Sequence, residues 1–248
     1  MARADSVFRS WCGRALVVGC GGIGQALLRE LARRAPALEL LGASRRDFRT
    51  AEPAVAWLPL DVTCDHSLQQ LGESLAEGPP LRLVLNSTGL LHDTELQPEK
   101  RLSQVSRSTL ERSFAVNAFA PILLAQAIEP FLPKQEPFHL ASLSARVGSI
   151  GDNGLGGWYG YRAAKAAQNQ LLHTLALEWR RRLPLGCVSL LHPGTTATAL
   201  SGPFQANVPP ERLFSPERAA GHLLDVLEGL GPEQSGRFWA WDGAPIPW

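Results

Sequence analysis

Few features here mark a secreted, membrane or nucleic-acid-binding protein. The four cysteines, Cys12, Cys20, Cys64 and Cys187, are scattered with no CxxC spacing. They read as reduced thiols, not as a disulfide frame or a zinc site. Charge of one sign is lacking as well: 24 Lys and Arg stand against 23 Asp and Glu, a net charge of +1. No broad field draws in nucleic acid or anionic lipid, and the clusters Arg45-Arg46 and Arg180-Arg181-Arg182 are local. No uninterrupted apolar run approaches the ~18–20 residues that span a bilayer. The first dozen residues are polar and mixed, without a secretory apolar region, so the expected location is the cytoplasm. Internal repeats and low-complexity segments are also absent.

What is present is alternation. Short apolar runs at 15–19, 38–42, 55–59, 81–86, 137–142, 185–191 and 237–241 read as strands. Amphipathic stretches at 22–34, 66–76, 106–131, 161–182 and 216–230 read as helices. Strands alternating with helices predict an α/β fold: a single Rossmann-type, doubly wound parallel sheet of about seven strands, with helices on both faces. The elements use the whole length, so residues 1–248 are expected to form one domain. Ser215 and Pro216 suit a helix start, and Pro36 ends the first helix.

Gly19-Cys20-Gly21-Gly22-Ile23-Gly24 matches G-x-G-x-x-G, directly after a strand and opening a helix. Gly19 permits the sharp turn, Gly21 lets backbone approach a pyrophosphate, and Gly24 lets the helix pack closely on the strand. The helix N-terminus, with Ile23 in its first turn, offers free N–H groups to phosphate. About 20 residues on, an NAD-preferring chain places an acid for the ribose 2′-hydroxyl. Here stand Ser44, Arg45 and Arg46, and guanidinium groups suit a 2′-phosphate. The expected cofactor is NADP(H), NADPH over NADH; the alternative is two solvated surface arginines.

Tyrosine occurs twice, at Tyr159 and Tyr161. Tyr161 has Lys165 four residues later, on the same helical face; Tyr159 has Ala163 there and no cation. An adjacent ammonium stabilises a phenolate and lowers the phenol pKa. Such a tyrosine exchanges a proton with a carbonyl oxygen as hydride arrives or leaves. Pro121 lacks an N–H, so the carbonyl of Asn117, four residues earlier in the predicted helix, loses its helical donor. That carbonyl is free for a water, unless the proline is a plain kink.

In order along the chain come the glycine loop, Asp61-Val62, Asn86-Ser87-Thr88-Gly89, Asn117, a serine cluster, Tyr161/Lys165 and Pro193-Gly194. Together they resemble the short-chain dehydrogenase/reductase family over essentially the full length. "SARVGSIGDN", "GGWYGYRAAKAA" and "GRFWAWDG" resemble its C-factor-like carbonyl reductase branch. The resemblance implies that Asp61 and Val62 contact adenine and that Asn86, Ser87, Thr88 and Gly89 line the cofactor. Pro193, Thr196 and Thr198 would lie along the nicotinamide end. It also implies that Lys165 binds the nicotinamide ribose and that Asn117 feeds a water-linked proton relay.

Two departures from the family pattern stand out. The glycine loop is one residue shorter than the family's and lacks its threonine, with Val18 where the longer register has its first glycine. The position of the family's catalytic serine, three residues before Gly148, is Ala145. Either Ser144 polarises the substrate carbonyl through a shifted turn, with Ser142 and Ser149 as substitutes, or that hydroxyl is missing. The long segment 195–214 carries Leu200, Phe204 and Val208, which with Trp158 form either an apolar pocket wall or subunit contacts of a homo-oligomer. The expected activity is NADP(H)-dependent interconversion of a carbonyl and an alcohol on a small molecule, without metal. The alternative is a dinucleotide-binding signalling or regulatory protein with little turnover.

Overall fold

The computed structural model describes residues 6–47, 55–206 and 208–248. Seven parallel strands form the main sheet: β1 (Gly13–Val18), β2 (Leu38–Ser44), β3 (Val55–Pro59), β4 (Leu81–Asn86), β5 (Phe138–Leu143), β6 (Gly186–His192) and β9 (Arg237–Ala240). Their spatial order is β3-β2-β1-β4-β5-β6-β9. The chain therefore winds outward from β1 to β3, returns to the middle and winds outward the other way. Ligands of such sheets bind where the winding reverses, at the carboxyl ends of the strands, here between β1 and β4.

Strand β1 shows why the sheet is covered on both faces. Ala15 and Val17 enter one apolar core with Leu27 and Leu31, while Leu16 and Val18 enter another with Leu71 and Leu124. Alternate side chains of a strand point to opposite faces, so both sets of this fully apolar run are buried. Helices α1 (Gly22–Arg34) and α6 (Pro216–Glu228) cover the first face. Helices α2 (Asp65–Leu75), α3 (Arg107–Phe114), α4 (Ala120–Ile128) and α5 (Tyr159–Arg182) lie on the second-core side, with α2, α4 and α5 supplying its core residues. Ser215 caps α6 as expected, accepting from Arg218 N at 3.1 Å.

The predicted helix 106–131 runs as Arg107–Phe131. It is not uniform: α3 passes through a π-helical turn at Ala115–Phe119 into α4, with a last 3-10 turn at Glu129–Phe131. Pro121 cannot donate, and the local ladder widens instead: Ala120 N bonds Ala115 O, five residues back. By length and composition Arg107–Phe131 could cross a bilayer, but Leu124, Ala125 and Ile128 are packed in the second core. The segment 195–214 also holds a small parallel pair that its sequence did not announce, β7 (Thr195–Thr196) with β8 (Leu213–Phe214).

Candidate active site

At the end of β1 each loop glycine has its own work. Gly19 has φ +87, and a Cβ there would lie 2.8 Å from Thr88 N. A Cβ on Gly24 would lie 2.3 Å from Gly19 O, so this glycine closes helix onto strand. A Cβ on Gly21 would meet nothing within 4 Å: it faces open space. Gly21 also precedes α1 without any side-chain cap. The first N–H groups of a helix have no partner within it, so those of Gly22, Ile23 and Gly24 line that space. The shortened loop thus keeps an anion cradle, and the residues fit a dinucleotide pyrophosphate.

The adenine end is mixed. Arg45 and Arg46 are exposed. The Ser44 hydroxyl is already engaged, donating to Arg46 O at 2.7 Å and accepting from Trp57 Nε1 at 3.2 Å. The Asp61 carboxylate accepts from the Thr63 hydroxyl at 2.6 Å and its N–H at 2.9 Å. Those bonds, with a smaller contribution from the Arg45 charge, hold the carboxyl below its usual pKa. Val62 packs against the second core.

Next to the glycine loop, the residues after β4 join strands. The Ser87 hydroxyl donates to Gly19 O at 2.6 Å. Asn86 donates to Ser142 Oγ at 2.9 Å and accepts from the Thr88 N–H and hydroxyl at 3.1 and 2.7 Å. Gly89 is exposed; a Cβ on it would be 3.7 Å from Asn117 Oδ1. Asn117 sits inside the π-turn, fully buried, with its side chain clamped to Leu90: Nδ2 donates to Leu90 O at 2.7 Å and Oδ1 accepts from Leu90 N at 3.0 Å. Its side chain is therefore spent on structure.

Tyr161 and Lys165 lie one turn apart at the start of α5, with Lys165 Nζ 5.9 Å from the centre of the phenol ring. Lys165 donates to Leu143 O and to Gln168 Oε1, both at 2.9 Å. The Tyr161 hydroxyl bonds no described residue. Nor is it among the sealed, unpaired atoms, which in the described residues are Arg14 Nε, His139 Nδ1, His192 Nδ1 and Trp239 Nε1. It is thus an unengaged hydroxyl that is not fully sealed, on a residue 9% exposed. The expectation that the lysine depresses the phenol pKa is corrected for the protein alone. Burial pushes the phenol up and brings the Lys165 ammonium down to about 7. Desolvation penalises both charged forms and outweighs their attraction at this separation.

A family model described as short chain dehydrogenase matches residues 14–208. The chain belongs to that family. It is similar to 1-hydroxy-2-glutathionyl-2-methyl-3-butene dehydrogenase of Rhodococcus sp. (strain AD45), 33% identical over 202 residues that cover 80% of each chain. It is also similar to the C-signal protein of Myxococcus xanthus, 36% identical over 148 residues, 59% of this chain and 83% of that one. The fold matches the NADPH-bound carbonyl reductase from chicken fatty liver with a TM-score of 0.83 at 24% identity, over 96% and 99% of the two chains.

In this short-chain dehydrogenase the serines of the cluster are buried and hydrogen-bonded within the protein. Ser144 Oγ donates to Asn169 Oδ1 at 2.6 Å, and the residue is 4% exposed. In this arrangement the Ser144 hydroxyl hydrogen is given to α5 and not offered to a carbonyl. The first substitute, Ser142, is 1% exposed and lies inside the sheet–helix network, its Oγ accepting from both Asn86 and Gln168. Ser149 is buried and accepts from Asp152 N at 3.1 Å. Ala145, at the family's serine position, supplies no hydroxyl.

Two loops bring further aromatic rings beside Tyr161. Trp158 has φ +53, the sole positive value among described non-glycine residues, after Gly156 and Gly157 at +66 each. Buried Glu99 holds this turn: its carbonyl accepts from Trp158 N and its carboxylate from Gly160 N at 3.1 Å. The Trp158 ring lies 6.3 Å from Tyr161 and 5.1 Å from Phe204, which in turn lies 5.7 Å from His92. The segment 195–214 thus contributes Phe204 to an aromatic cluster with Trp158 and His92. Gly22 is closed off on one side by Thr198, whose Cγ2 would be 2.9 Å from a Cβ there. Thr196 is buried, its hydroxyl toward Gly194 O at 3.4 Å, and Pro193 is half-buried at the end of β6.

Gln168, Asn169, Glu99 and the left-handed backbone at Trp158 escaped sequence reading. A signal existed for two of them. Lys165, Gln168, Asn169 and Leu172 follow i, i+3, i+4, i+7 spacing, which places two amides on the buried stripe of α5.

Proposed function

We propose that this enzyme is an NADPH-dependent carbonyl reductase in which Tyr161 is the proton donor. The observation that carries the reading is the unengaged Tyr161 hydroxyl beside Lys165, in the cleft where the winding reverses and the α1 N–H groups open. Bound at that cradle, the dinucleotide supplies the hydride. Gly19, Gly21, Ile23 and Gly24 hold its pyrophosphate, and Arg45 or Arg46 meets the 2′-phosphate. Asp61, Val62 and Asn86 to Gly89 flank the adenosine half, while Pro193, Thr196 and Thr198 flank the other end.

Burial keeps the phenol protonated at neutral pH, the form that gives a proton to a carbonyl oxygen. As the phenol loses its proton, the Lys165 ammonium stabilises the phenolate by charge. The Asn117 carbonyl supports a water on the relay side. The aromatic wall of Trp158, Phe204 and His92 suits an apolar carbonyl compound. The names of the Rhodococcus and chicken proteins support oxidoreduction of this class.

A second reading, a dinucleotide-binding regulatory protein with little turnover, is favoured by the tied-up Ser144 and by the similarity to C-signal. A screen of aldehydes, ketones and quinones with NADPH and NADH side by side separates the two. Turnover with NADPH is expected. Tight NADPH binding with no turnover across the panel overturns the enzyme reading.

A further inference from the structure

We infer that Gln168 is a positioning residue for Lys165: its carboxamide fixes the ammonium and ties it to the loop beside the glycine cradle. The inference rests on the role of Lys165 proposed above.

A fully buried glutamine is costly unless its polar atoms are matched. Gln168 is 0% exposed, and it is matched at both ends. Its Oε1 accepts from Lys165 Nζ at 2.9 Å. Its Nε2 donates to Ser142 Oγ at 2.8 Å and to Leu143 O at 3.3 Å. Ser142 is held in turn by Asn86, and Asn86 by Thr88. Thr88 N is the atom a Cβ on Gly19 would strike. One line of hydrogen bonds and contacts therefore runs from the ammonium to the glycine loop.

An ammonium has three N–H donors. Leu143 O and Gln168 Oε1 take two, which leaves one for a ligand or the phenolate. Lys165 is 2% exposed, and burial alone accounts for its depressed pKa. Among the described residues the titratable group facing it is Tyr161, and no charged side chain acts on it. Acceptors thus decide whether the amine stays charged, because hydrogen bonds to the charged form favour it. A lysine with Leu143 O alone would pivot, and it would lose its proton more readily.

The chain contains three lysines, Lys100, Lys134 and Lys165, so NMR of the full protein labelled with 13C at lysine Cε can follow each separately. Gln168→Leu is expected to lower the Lys165 pKa by about one unit, and Gln168→Glu to raise it by at least as much. In Gln168→Leu, kcat at neutral pH should fall about tenfold. Gln168→Glu should restore kcat, with its alkaline limb moved upward. A packing role alone would lower Tm in both variants without opposite shifts. Should Gln168→Leu not fold, Gln168→Asn, one methylene too short to span the gap, takes its place. If folded variants titrate Lys165 as the wild type does, the inference is wrong. The titration needs neither substrate nor cofactor, so an inactive wild type would sink the proposed function while leaving this reading to its own test.

Discussion

Where α1 begins, a Cβ on Gly21 would meet nothing within 4 Å, and Arg45 and Arg46 are exposed. At the head of α5, by contrast, Asn117, Lys165, Gln168 and Asn169 are each at most 2% exposed. The first region leaves its donors unspent, as a surface does when its partner comes from outside. The second pairs its buried side-chain amides internally and leaves the Tyr161 hydroxyl over. Binding and proton transfer are thus assigned to regions of opposite character. Changes at positions that face open space should alter affinity without touching stability; those at packed positions should alter turnover or stability.

The largest effect that tests this division is at Tyr161. Its hydroxyl bonds nothing in the protein, so Tyr161→Phe should leave Tm and NADPH affinity unchanged. Turnover should fall about 10²- to 10⁴-fold, the usual contribution of a general acid. Tyr159, 42% exposed, is the control, and Tyr159→Phe should keep wild-type rates. Inactivity in that variant instead would transfer the role to the other tyrosine.

Two glycines of one loop draw the contrast next. Gly24→Ala forces a Cβ to 2.3 Å from the Gly19 carbonyl, a backbone atom that cannot yield cheaply. About 3 kcal/mol of stability should be lost in denaturant titration. Gly21→Val puts its side chain into empty space, so Tm should hold. NADPH affinity should fall at least about tenfold, because the branched chain fills the cradle. Unimpaired NADPH binding by Gly21→Val would mean that the cradle is not where the phosphates lie.

Much of the open end is legible in sequence because it is built from backbone, and its glycines are spaced by the turn they make. The seven strands are legible for a similar reason, as short apolar runs buried on both faces. The sealed end is legible in part. Tyr161 and Lys165 declare themselves by spacing, but hydrogen-bond partners across the fold do not. Nothing local says that Ser144 bonds Asn169 and not a ligand, since residues 25 positions apart meet through the packing of β5 on α5. The π-turn was half visible: Pro121 marks a lost donor, yet whether the helix kinks or widens depends on what Asn117 grips, and that is Leu90.

At the open end the arginines separate the two cofactors. A 2′-phosphate carries about two negative charges near neutrality, and hydrogen bonds between charged groups are worth about 1.5–3 kcal/mol. Arg45→Ala should therefore weaken NADPH about 10- to 100-fold and leave NADH nearly unaltered. Arg45 is the first choice because its charge already reaches Asp61. Arg46→Ala is the companion variant, since neighbouring side chains near a strand end point opposite ways. Equal titrations of NADPH and NADH in both variants would show two surface arginines, and the preference for NADPH would fall with them.

The smallest effect is the most diagnostic for the sealed end. Ser144 donates its hydroxyl hydrogen to Asn169 in a buried position, so Ser144→Ala removes one internal hydrogen bond and leaves the amide oxygen unmatched. A loss of about 1–2 kcal/mol in stability is expected. A hydroxyl that polarised the reacting carbonyl would behave differently, since removing an oxyanion donor typically costs about 10²–10³ in kcat. The geometry predicts kcat within about twofold of wild type, because that hydrogen is spent before any substrate arrives. Ala145→Ser supplies the complement: a hydroxyl at the half-buried position after Ser144 should raise kcat without changing NADPH affinity. Unaltered stability in Ser144→Ala together with a hundredfold loss of kcat would reverse the assignment and show that Ser144 turns into the cleft when substrate binds.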